Sequence, residues 1–422
     1  MDGAKYLANS ILGRLRCGLS LATSPSGILA KKPKKKDTGL KDQGKIPYQK
    51  HNSFVDLRVR ENVLTREALA RCRTLAAKAS SATNPKHNAV LAKALTEILH
   101  PETQEGLFRI TPNVAAEIAF LNNEELPRYL FHRYRYERYP ALKILDDYPP
   151  YLQIEPSSVC NYRCVFCFES DPTFTKTANG FMGKMSFELF REIVDQAAGN
   201  IEFISLASRG EPLACGEIEK MLAYTPGKFL NLKMNTNASL LTEEKSHAIL
   251  SSGIRTLVFS ADAAEEPLYS QLRVNGKFEK VLANIRRFKE IREKHYSNHK
   301  IITRVSGVKV RQEQDINSME KLWGELVDQV AFVNYNPWEN VYQVAPNQIT
   351  TPCSDLWRRM FIWWDGKINP CDVDYKSTLQ VGLFPAHEIS QGWLSENYQI
   401  LRKNHQAGKR QNIRPCHSCF LV

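Results

Sequence analysis

The sequence predicts an α/β protein whose parallel strands are covered by helices on their outer face. From Tyr148 onward, short apolar segments with strand character alternate with amphipathic segments of helical period. This alternation is typical of repeated βα units, and repeated βα units build a parallel sheet. The chain before this region has helical patterns, and the chain after it is rich in Trp and Cys.

The boundaries of the predicted elements follow from the apolar runs. Strands are expected at 151–156, 201–207, 229–236, 255–260, 301–308 and 329–335. Helices are expected near 186–198, 216–224, 242–252, 278–295 and 316–327. In such sheets ligands bind at the carboxyl ends of the strands, so functional side chains are expected in the loops that follow each strand.

A separate helical region is expected at 46–147. Segments 64–78 and 89–99 carry apolar residues three and four positions apart, and Asn84-Pro85 separates them. An Arg/Tyr alternation follows at 128–139. It is compatible with stacking on a nucleotide or sugar ring, but we favour a helix packed on a larger domain.

Composition excludes several classes of protein. The 422 residues include 43% hydrophobic and 24% charged residues, which is ordinary for a soluble globular protein, and no stretch approaches a membrane span. Much of the formal charge of +12 comes from residues 1–60, which contain 13 Lys and Arg against 4 Asp and Glu. We interpret 1–45 as a basic, disordered tail; Lys31–Lys36 could touch a polyanion, but a nucleic-acid partner is not favoured. Ten cysteines without a disulfide-type pattern indicate a reducing, cytoplasmic compartment.

Three cysteines directly follow the first predicted strand. Cys160, Cys164 and Cys167 have the spacing C-x3-C-x2-C, with an aromatic residue just before the last one. Three closely spaced thiolates suit a metal that takes sulfur ligands, and they leave one coordination position for a ligand that is not protein. A zinc site that takes a fourth ligand from elsewhere is the alternative.

Further motifs occur at the ends of later strands. Ser208-Arg-Gly-Glu-Pro-Leu213 follows the second strand, and Arg209 there could hold a substrate anion or balance Glu211. Ser260 ends the fourth strand and Arg273 follows it. A second cysteine group comprises Cys353, Cys371, Cys416 and Cys419, with Gly366 between the first two. Asp365-Gly366 predicts a type I′ hairpin turn.

Taken in order, these motifs resemble the radical S-adenosylmethionine (SAM) superfamily, in its SPASM/Twitch subgroup, and members associated with surface-polysaccharide pathways. The resemblance covers 148–422. It implies a partial (β/α)6 barrel at 148–345, between the helical domain at 46–147 and a small Twitch domain at 346–422. It also implies a [4Fe-4S] cluster on Cys160, Cys164 and Cys167 that binds SAM. Gly210 and Glu211 would receive the SAM amino group, and Ser260 and Arg273 its carboxylate.

The same resemblance implies one auxiliary [4Fe-4S] cluster on Cys353, Cys371, Cys416 and Cys419. With every iron ligated by protein, this cluster would relay electrons; a zinc ribbon is the alternative. The implied reaction is hydrogen abstraction by a 5′-deoxyadenosyl radical from a sugar, aminocyclitol or nucleotide-linked sugar, followed by a net two-electron oxidation. Flavodoxin or ferredoxin would supply electrons. The alternatives are a maturase of ribosomally made peptides and a non-catalytic zinc- or RNA-binding scaffold. No catalytic acid or base is assigned.

Overall fold

The computed structural model contains the alternating strands and helices that the sequence predicts. It describes residues 46–49, 63–77, 85–101, 108–335, 338–339 and 341–421. The basic segment 1–45, including Cys17, therefore lies outside the described residues. Residues Gly44–Val422 form one compact unit. The subdivision of that unit at 147 and 345 stays a prediction.

The N-terminal part of this unit is helical apart from one short strand. Its elements are β1 (Ile46–Gln49), α1 (Val63–Ala77), α2 (Pro85–Leu99), α3 (Pro112–Ala119) and α4 (Glu125–Leu142). Helix α2 begins at Pro85, a residue suited to a first turn because it has no N–H to satisfy. Thr111 caps α3 by accepting a hydrogen bond from the Val114 amide at 3.3 Å. The expected helices at 64–78 and 89–99 are therefore confirmed, whereas β1 was not expected.

The central part contains the alternating elements. These are β2 (Tyr151–Ile154), β3 (Arg163–Cys164), α5 (Pro172–Thr175), α6 (Phe187–Ala197), β4 (Phe203–Leu206), α7 (Ile218–Ala223), β5 (Asn231–Thr236), α8 (Glu243–Leu250), β6 (Ile254–Ser260), α9 (Leu268–Leu272), β7 (Arg273–Val274), α10 (Phe278–His295), β8 (Ile302–Lys309), α11 (Ile316–Gly324) and β9 (Gln329–Asn334). All six predicted strands and all five predicted helices form, most of them one or two residues shorter at an end than predicted.

The C-terminal part contains three strands and two helices among the described residues, namely β10 (Arg359–Ile362), β11 (Lys367–Asn369), β12 (Gly382–Leu383), α12 (Ile389–Trp393) and α13 (Glu396–Gln406). Short 3₁₀ turns occur at Phe168–Ser170, Thr177–Asn179, Pro212–Ala214, Ser354–Trp357 and Lys409–Asn412. Among the described helices, none is both long and apolar enough to cross a membrane.

Ten of the twelve strands in the described residues form one large sheet, and β3 and β7 pair separately. Its order is β1-β9-β8-β6-β5-β4-β2-β10-β11-β12. The pairs from β1 to β10 are parallel, and β11 and β12 are added antiparallel. The six predicted strands are neighbours in chain order, as expected when each helix returns the chain to the next position. The parallel pairing of β10 with β2 was not expected.

Alternate residues of each strand face opposite sides. Leu152, Ile154, Ile204 and Leu206 belong to the main core that the outer helices cover. Tyr151 and Phe203 face the other side and pack against α4, with ring centroids of Tyr136 and Tyr151 5.5 Å apart. Helix α4, which contains the Arg/Tyr alternation, therefore covers the amino ends of β2 and β4. The packed-helix interpretation of 128–139 is confirmed.

The buried His132 in α4 predicts a loss of stability in mild acid. Burial and the neighbouring Arg135 lower the pKa of His132 well below its usual value. The unfolded chain then binds more protons below about pH 6.5, so the free energy of unfolding falls as pH drops through that value. We expect His132→Phe to reduce this slope by up to about 1.4 kcal/mol per pH unit. Urea unfolding of wild type and variant at pH 7 and pH 5 measures the change in the free energy of unfolding with pH. An equal change in the two proteins would contradict a buried neutral His132 ring.

The predicted hairpin joins β10 to β11, but its turn is not type I′. Trp363 N donates to Lys367 O at 2.9 Å, and Gly366 N donates to Trp363 O at 2.9 Å. Only Gly366 has a left-handed conformation, with φ of 82°, whereas type I′ needs two such residues. The loop is a three-residue turn that ends in a left-handed glycine, a common alternative in hairpins.

Gly366→Ala should destabilise the protein more than Gly408→Ala. Both glycines have positive φ, so both variants incur backbone strain of about 1 kcal/mol. A Cβ on Gly366 would also lie 2.3 Å from Phe384 O, whereas a Cβ on Gly408 meets nothing within 4 Å. The difference in melting temperature between the two variants measures the effect of the contact with Phe384 O. Equal losses of stability would show that the turn at Gly366 relaxes and avoids this contact.

Candidate functional site

The three predicted cluster thiols lie in the loop that leaves β2. This loop is anchored by a two-residue ribbon, in which β3 pairs antiparallel with β7 and Cys164 lies opposite Arg273. The parallel arrangement puts the loops after β2, β4, β5 and β6 at one rim of the sheet. The sequence motifs therefore meet at that rim.

Nitrogen donors surround these thiols. Asn237 Nδ2 lies 3.9 Å from Cys160 Sγ, and Arg273 Nη1 lies 3.8 Å from Cys164 Sγ. Burial raises the pKa of all three thiols, and Cys164 raises the pKa of Cys160 and Cys167 further. Thiols become metal ligands by losing their protons, which a bound cluster favours and burial alone opposes. Three thiols with nearby donors therefore fit an iron–sulfur cluster.

The loop after β4 is pressed against the cluster loop. A Cβ on Gly210 would lie 2.5 Å from Ser157 O, so glycine is required there, and Glu211 N donates to Val159 O at 3.1 Å. The Glu211 carboxylate accepts hydrogen bonds from the amides of Leu213 (3.0 Å) and Asn237 (2.7 Å) and from the hydroxyl of Thr236 (2.7 Å). Since a carboxylate has about four acceptor positions, about one is left for a further donor.

The structure also brings Ser260 and Arg273 to this rim. Ser260 is the last residue of β6, and Asp262 follows it. Arg273 Nε lies 2.5 Å from Asp262 Oδ2, and both side chains are buried. The acidic partner of Arg273 is therefore Asp262. The guanidinium spans Asp262 and Cys164, which fixes it beside the cluster loop.

Some rim contacts were missed from the sequence. Asn237 donates both to Cys160 and to Asn161 Oδ1 (3.1 Å), so the loop after β5 belongs to the site. The signal was available, because Asn235-Thr-Asn237 is a polar run at a strand end. Arg209 was expected to hold a substrate anion or to balance Glu211, and that expectation was wrong. Its guanidinium pairs with buried Glu155 at 2.7 and 2.5 Å.

The four C-terminal cysteines form a second group. The pKa of Cys371 is raised by burial and, more weakly, by Cys419, Cys416 and Cys353, so chain segments distant in sequence meet here. Arg410 Nε donates to Cys416 O at 3.1 Å, and Cys353 N donates to His405 Nδ1 at 3.2 Å. Within the described residues, no group of three or more His, Cys, Asp or Glu side chains has the arrangement of a single-ion metal site.

An aromatic cluster joins the two cysteine groups. We call Phe168, Phe174, Tyr342 and Tyr375 the aromatic bridge. The Phe168 and Tyr375 rings stack with centroids 4.9 Å apart, and Tyr342 meets Tyr375 edge-on at 4.9 Å. Three thiol-bearing residues pack against this bridge, one from the first group and two from the second: Cys167, Cys371 and Cys419. The two groups therefore adjoin one packed unit.

Comparisons with known proteins agree with this arrangement. The family model for the radical SAM superfamily matches residues 154–315, and that for the SPASM iron–sulfur cluster-binding domain matches residues 353–420. The chain is 26% identical over 142 residues to the AdoMet-dependent heme synthase of Methanosarcina barkeri, covering 33% of this chain and 39% of that relative. It is 23% identical over 251 residues to the GTP 3′,8-cyclase of Clostridium botulinum, covering 58% and 73%.

A solved structure, BtrN in complex with AdoMet and 2-DOIA, is 18% identical with a TM-score of 0.44, covering 64% of this chain and 93% of that one. The two family matches place the first cysteine group in the radical SAM domain and the second in the iron–sulfur domain. A radical SAM domain binds SAM and a [4Fe-4S] cluster, and a SPASM domain binds auxiliary iron–sulfur clusters. The chain therefore contains a radical SAM domain followed by a SPASM-type iron–sulfur domain.

Proposed function

We propose that this enzyme removes a hydrogen atom from a small, polar, sugar-like substrate and that the net reaction is a two-electron oxidation. A sugar, an aminocyclitol or a nucleotide-linked sugar would fit. The observation that carries the proposal is the aromatic bridge, with one thiol group at each side. One group lies at the rim where a substrate can bind, and the other packs against the same aromatic bridge.

In this proposal Cys160, Cys164 and Cys167 hold the SAM-binding cluster. When bound, the reduced cluster and SAM supply a 5′-deoxyadenosyl radical. The backbone at Gly210 and the remaining acceptor position of Glu211 would receive the SAM amino group. Ser260 and Arg273 bind the SAM carboxylate, since a guanidinium presents several donors in one plane.

Cys353, Cys371, Cys416 and Cys419 are proposed to hold one auxiliary cluster. Held by these four residues, the cluster would supply an acceptor for the second electron of the oxidation, after one hydrogen atom and one proton have left the substrate. Burial raises the pKa of Cys353 to about 12, so these thiols become thiolates only as the cluster binds. The Twitch interpretation, with a single auxiliary cluster, rests on the four cysteines available here.

The inward faces of the strands support a polar substrate. On β2, β4, β5, β6 and β8, the residues that face the outer helices are apolar and belong to the main core. Residues that alternate with them on the inner face carry hydroxyl or amide groups, namely Gln153, Ser205, Asn235, Ser260 and Ser306. Such groups match the hydroxyls of a sugar better than an apolar surface would. We also propose a cytoplasmic location with flavodoxin or ferredoxin as electron donor, because iron–sulfur assembly on free thiols needs a reducing compartment.

The proposal is tested by anaerobic incubation of the purified enzyme with SAM and dithionite. We expect a low yield of 5′-deoxyadenosine that rises when fractions of polar metabolites are added. The stimulating fraction should contain a molecule that loses two hydrogens. Stimulation by ribosomally made peptides instead would favour the maturase alternative, and stimulation without oxidation of the metabolite would contradict a dehydrogenase.

A further inference from the structure

Three basic side chains enter the inside of the barrel from three strands. On β5, Leu232 and Met234 pack outward in the main core, so Lys233 faces inward. On β8, Val305 is outward and Arg304 is inward. On β10, Met360 and Ile362 are outward and Arg359 is inward. Lys233, Arg304 and Arg359 are called the basic lumen.

The two arginines of the basic lumen act on Lys233. Burial, followed by the positive charges of Arg304 and Arg359, lowers the pKa of Lys233 to about 7. Arg304 Nε donates to the neutral amide oxygen of Gln329 at 2.9 Å, and a further bond goes to the amide oxygen of Asn113. Arg359 Nη2 donates to the hydroxyl of Tyr136 at 2.6 Å, and its Nε lies 3.6 Å from Asp355.

The ammonium group of Lys233 makes no hydrogen bond or ion pair to another residue in the described part of the chain. The acid that acts on it is Glu117. That carboxylate is already occupied, because it accepts hydrogen bonds from Tyr129 and from Asn113 Nδ2 (3.2 Å) and lies 3.5 Å from Arg133. An ammonium group inside a protein without an anionic partner is costly, and such groups are frequent at functional sites.

Strand β5 connects the basic lumen to the cluster loop. Lys233 lies opposite Ser205 of β4. It precedes Asn235 by two residues and Asn237 by four, and Asn237 contacts Cys160. At a rise of about 3.3 Å per residue, Lys233 is roughly 13 Å from Asn237 along the strand. Between them, the Asn235 Oδ1 atom is buried and lacks a hydrogen-bond partner among the described residues.

We propose that Lys233, with Arg304 beside it, forms an anion subsite within the barrel and that the substrate carries a phosphate or carboxylate group bound there. The proposal rests on the proposed function for what occurs at the rim and adds a substrate class, an anionic sugar. The bound anion supplies the partner that Lys233 lacks. The separation from the rim leaves room for a sugar ring beside Asn235, with its reacting carbon at the cluster loop.

Binding is tested without turnover. The anaerobic holoenzyme with SAM is titrated calorimetrically with inorganic phosphate and, separately, with succinate, at constant ionic strength. We expect saturable binding of one of the two, which identifies the anionic group. Lys233→Met should weaken that binding at least ten-fold, and Lys233→Arg should restore most of it. Lys220→Met, on an exposed lysine of α7, serves as the matched control and should bind as wild type.

Equal binding by wild type and Lys233→Met, or no binding of either anion, would overturn the subsite. A second measurement separates this from failure of the proposed function. The metabolite fraction that stimulates 5′-deoxyadenosine formation is passed over an anion-exchange resin. Retention of the stimulating molecule, with a KM raised at least ten-fold in Lys233→Met, supports the subsite. A neutral stimulating sugar overturns the subsite while leaving the proposed oxidation intact.

Discussion

Cys160→Ala should yield a folded protein that forms no detectable 5′-deoxyadenosine. With one of three thiols removed, the first cluster loses a ligand that the surrounding donors, Asn237 and the Tyr162 amide, cannot replace. The auxiliary group is untouched, so iron per chain should fall by about four, the content of one [4Fe-4S] cluster. Iron analysis and anaerobic chromatography of the SAM products measure both quantities.

Cys215→Ala is the matched control for that change. Cys215 is a buried cysteine of the main core, and its Sγ is 3.6 Å from Met185 O. Removal of this thiol should cost stability of about 1 kcal/mol and leave iron content and SAM cleavage unchanged. If Cys160→Ala kept its full iron content, or cleaved SAM like the control, the assignment of the first cluster would be wrong.

The order of the barrel strands could be predicted because it depends on local pattern. Each of β2, β4, β5, β6, β8 and β9 is a short apolar run, and each is followed by a segment of helical period. Chain order then sets spatial order, because short right-handed crossovers join neighbouring parallel strands. The addition of β10 to β2 is a pairing between distant segments, and no local signal in either strand specifies it.

The candidate site was predictable in its residues but less so in their contacts. Cys160, Gly210 and Arg273 lie at the rim because strand ends lie there. Their partners depend on which distant side chain arrives beside them. Arg209 pairs with Glu155, 54 positions away, and this choice removes it from the substrate-binding groups. The Glu211 carboxylate, expected to face SAM, accepts hydrogen bonds from Thr236 at the end of β5 and from Asn237 directly after it.

The Arg209–Glu155 pair leads to the largest expected effect on stability. Arg209 Nη1 also donates to Tyr375 O at 2.9 Å, and its guanidinium carbon lies 4.3 Å from the centre of the Trp363 ring. One side chain therefore connects the end of β2, the loop with Gly210 and Glu211, and the C-terminal part. Both partners are almost fully buried, with side chains 2% and 0% exposed.

Arg209→Met should lower the free energy of unfolding by about 3–5 kcal/mol, because it leaves the Glu155 charge buried without a partner. Unfolding in urea under anaerobic conditions, followed by circular dichroism, measures the loss. The double variant Glu155→Gln/Arg209→Met should be more stable than Arg209→Met alone. Glutamine carries no charge, and its side-chain oxygen still accepts a hydrogen bond from the backbone N–H of residue 209. If the single variant lost less than about 1 kcal/mol, or the double variant lost more than the single one, the buried pair would not be what holds these three segments together.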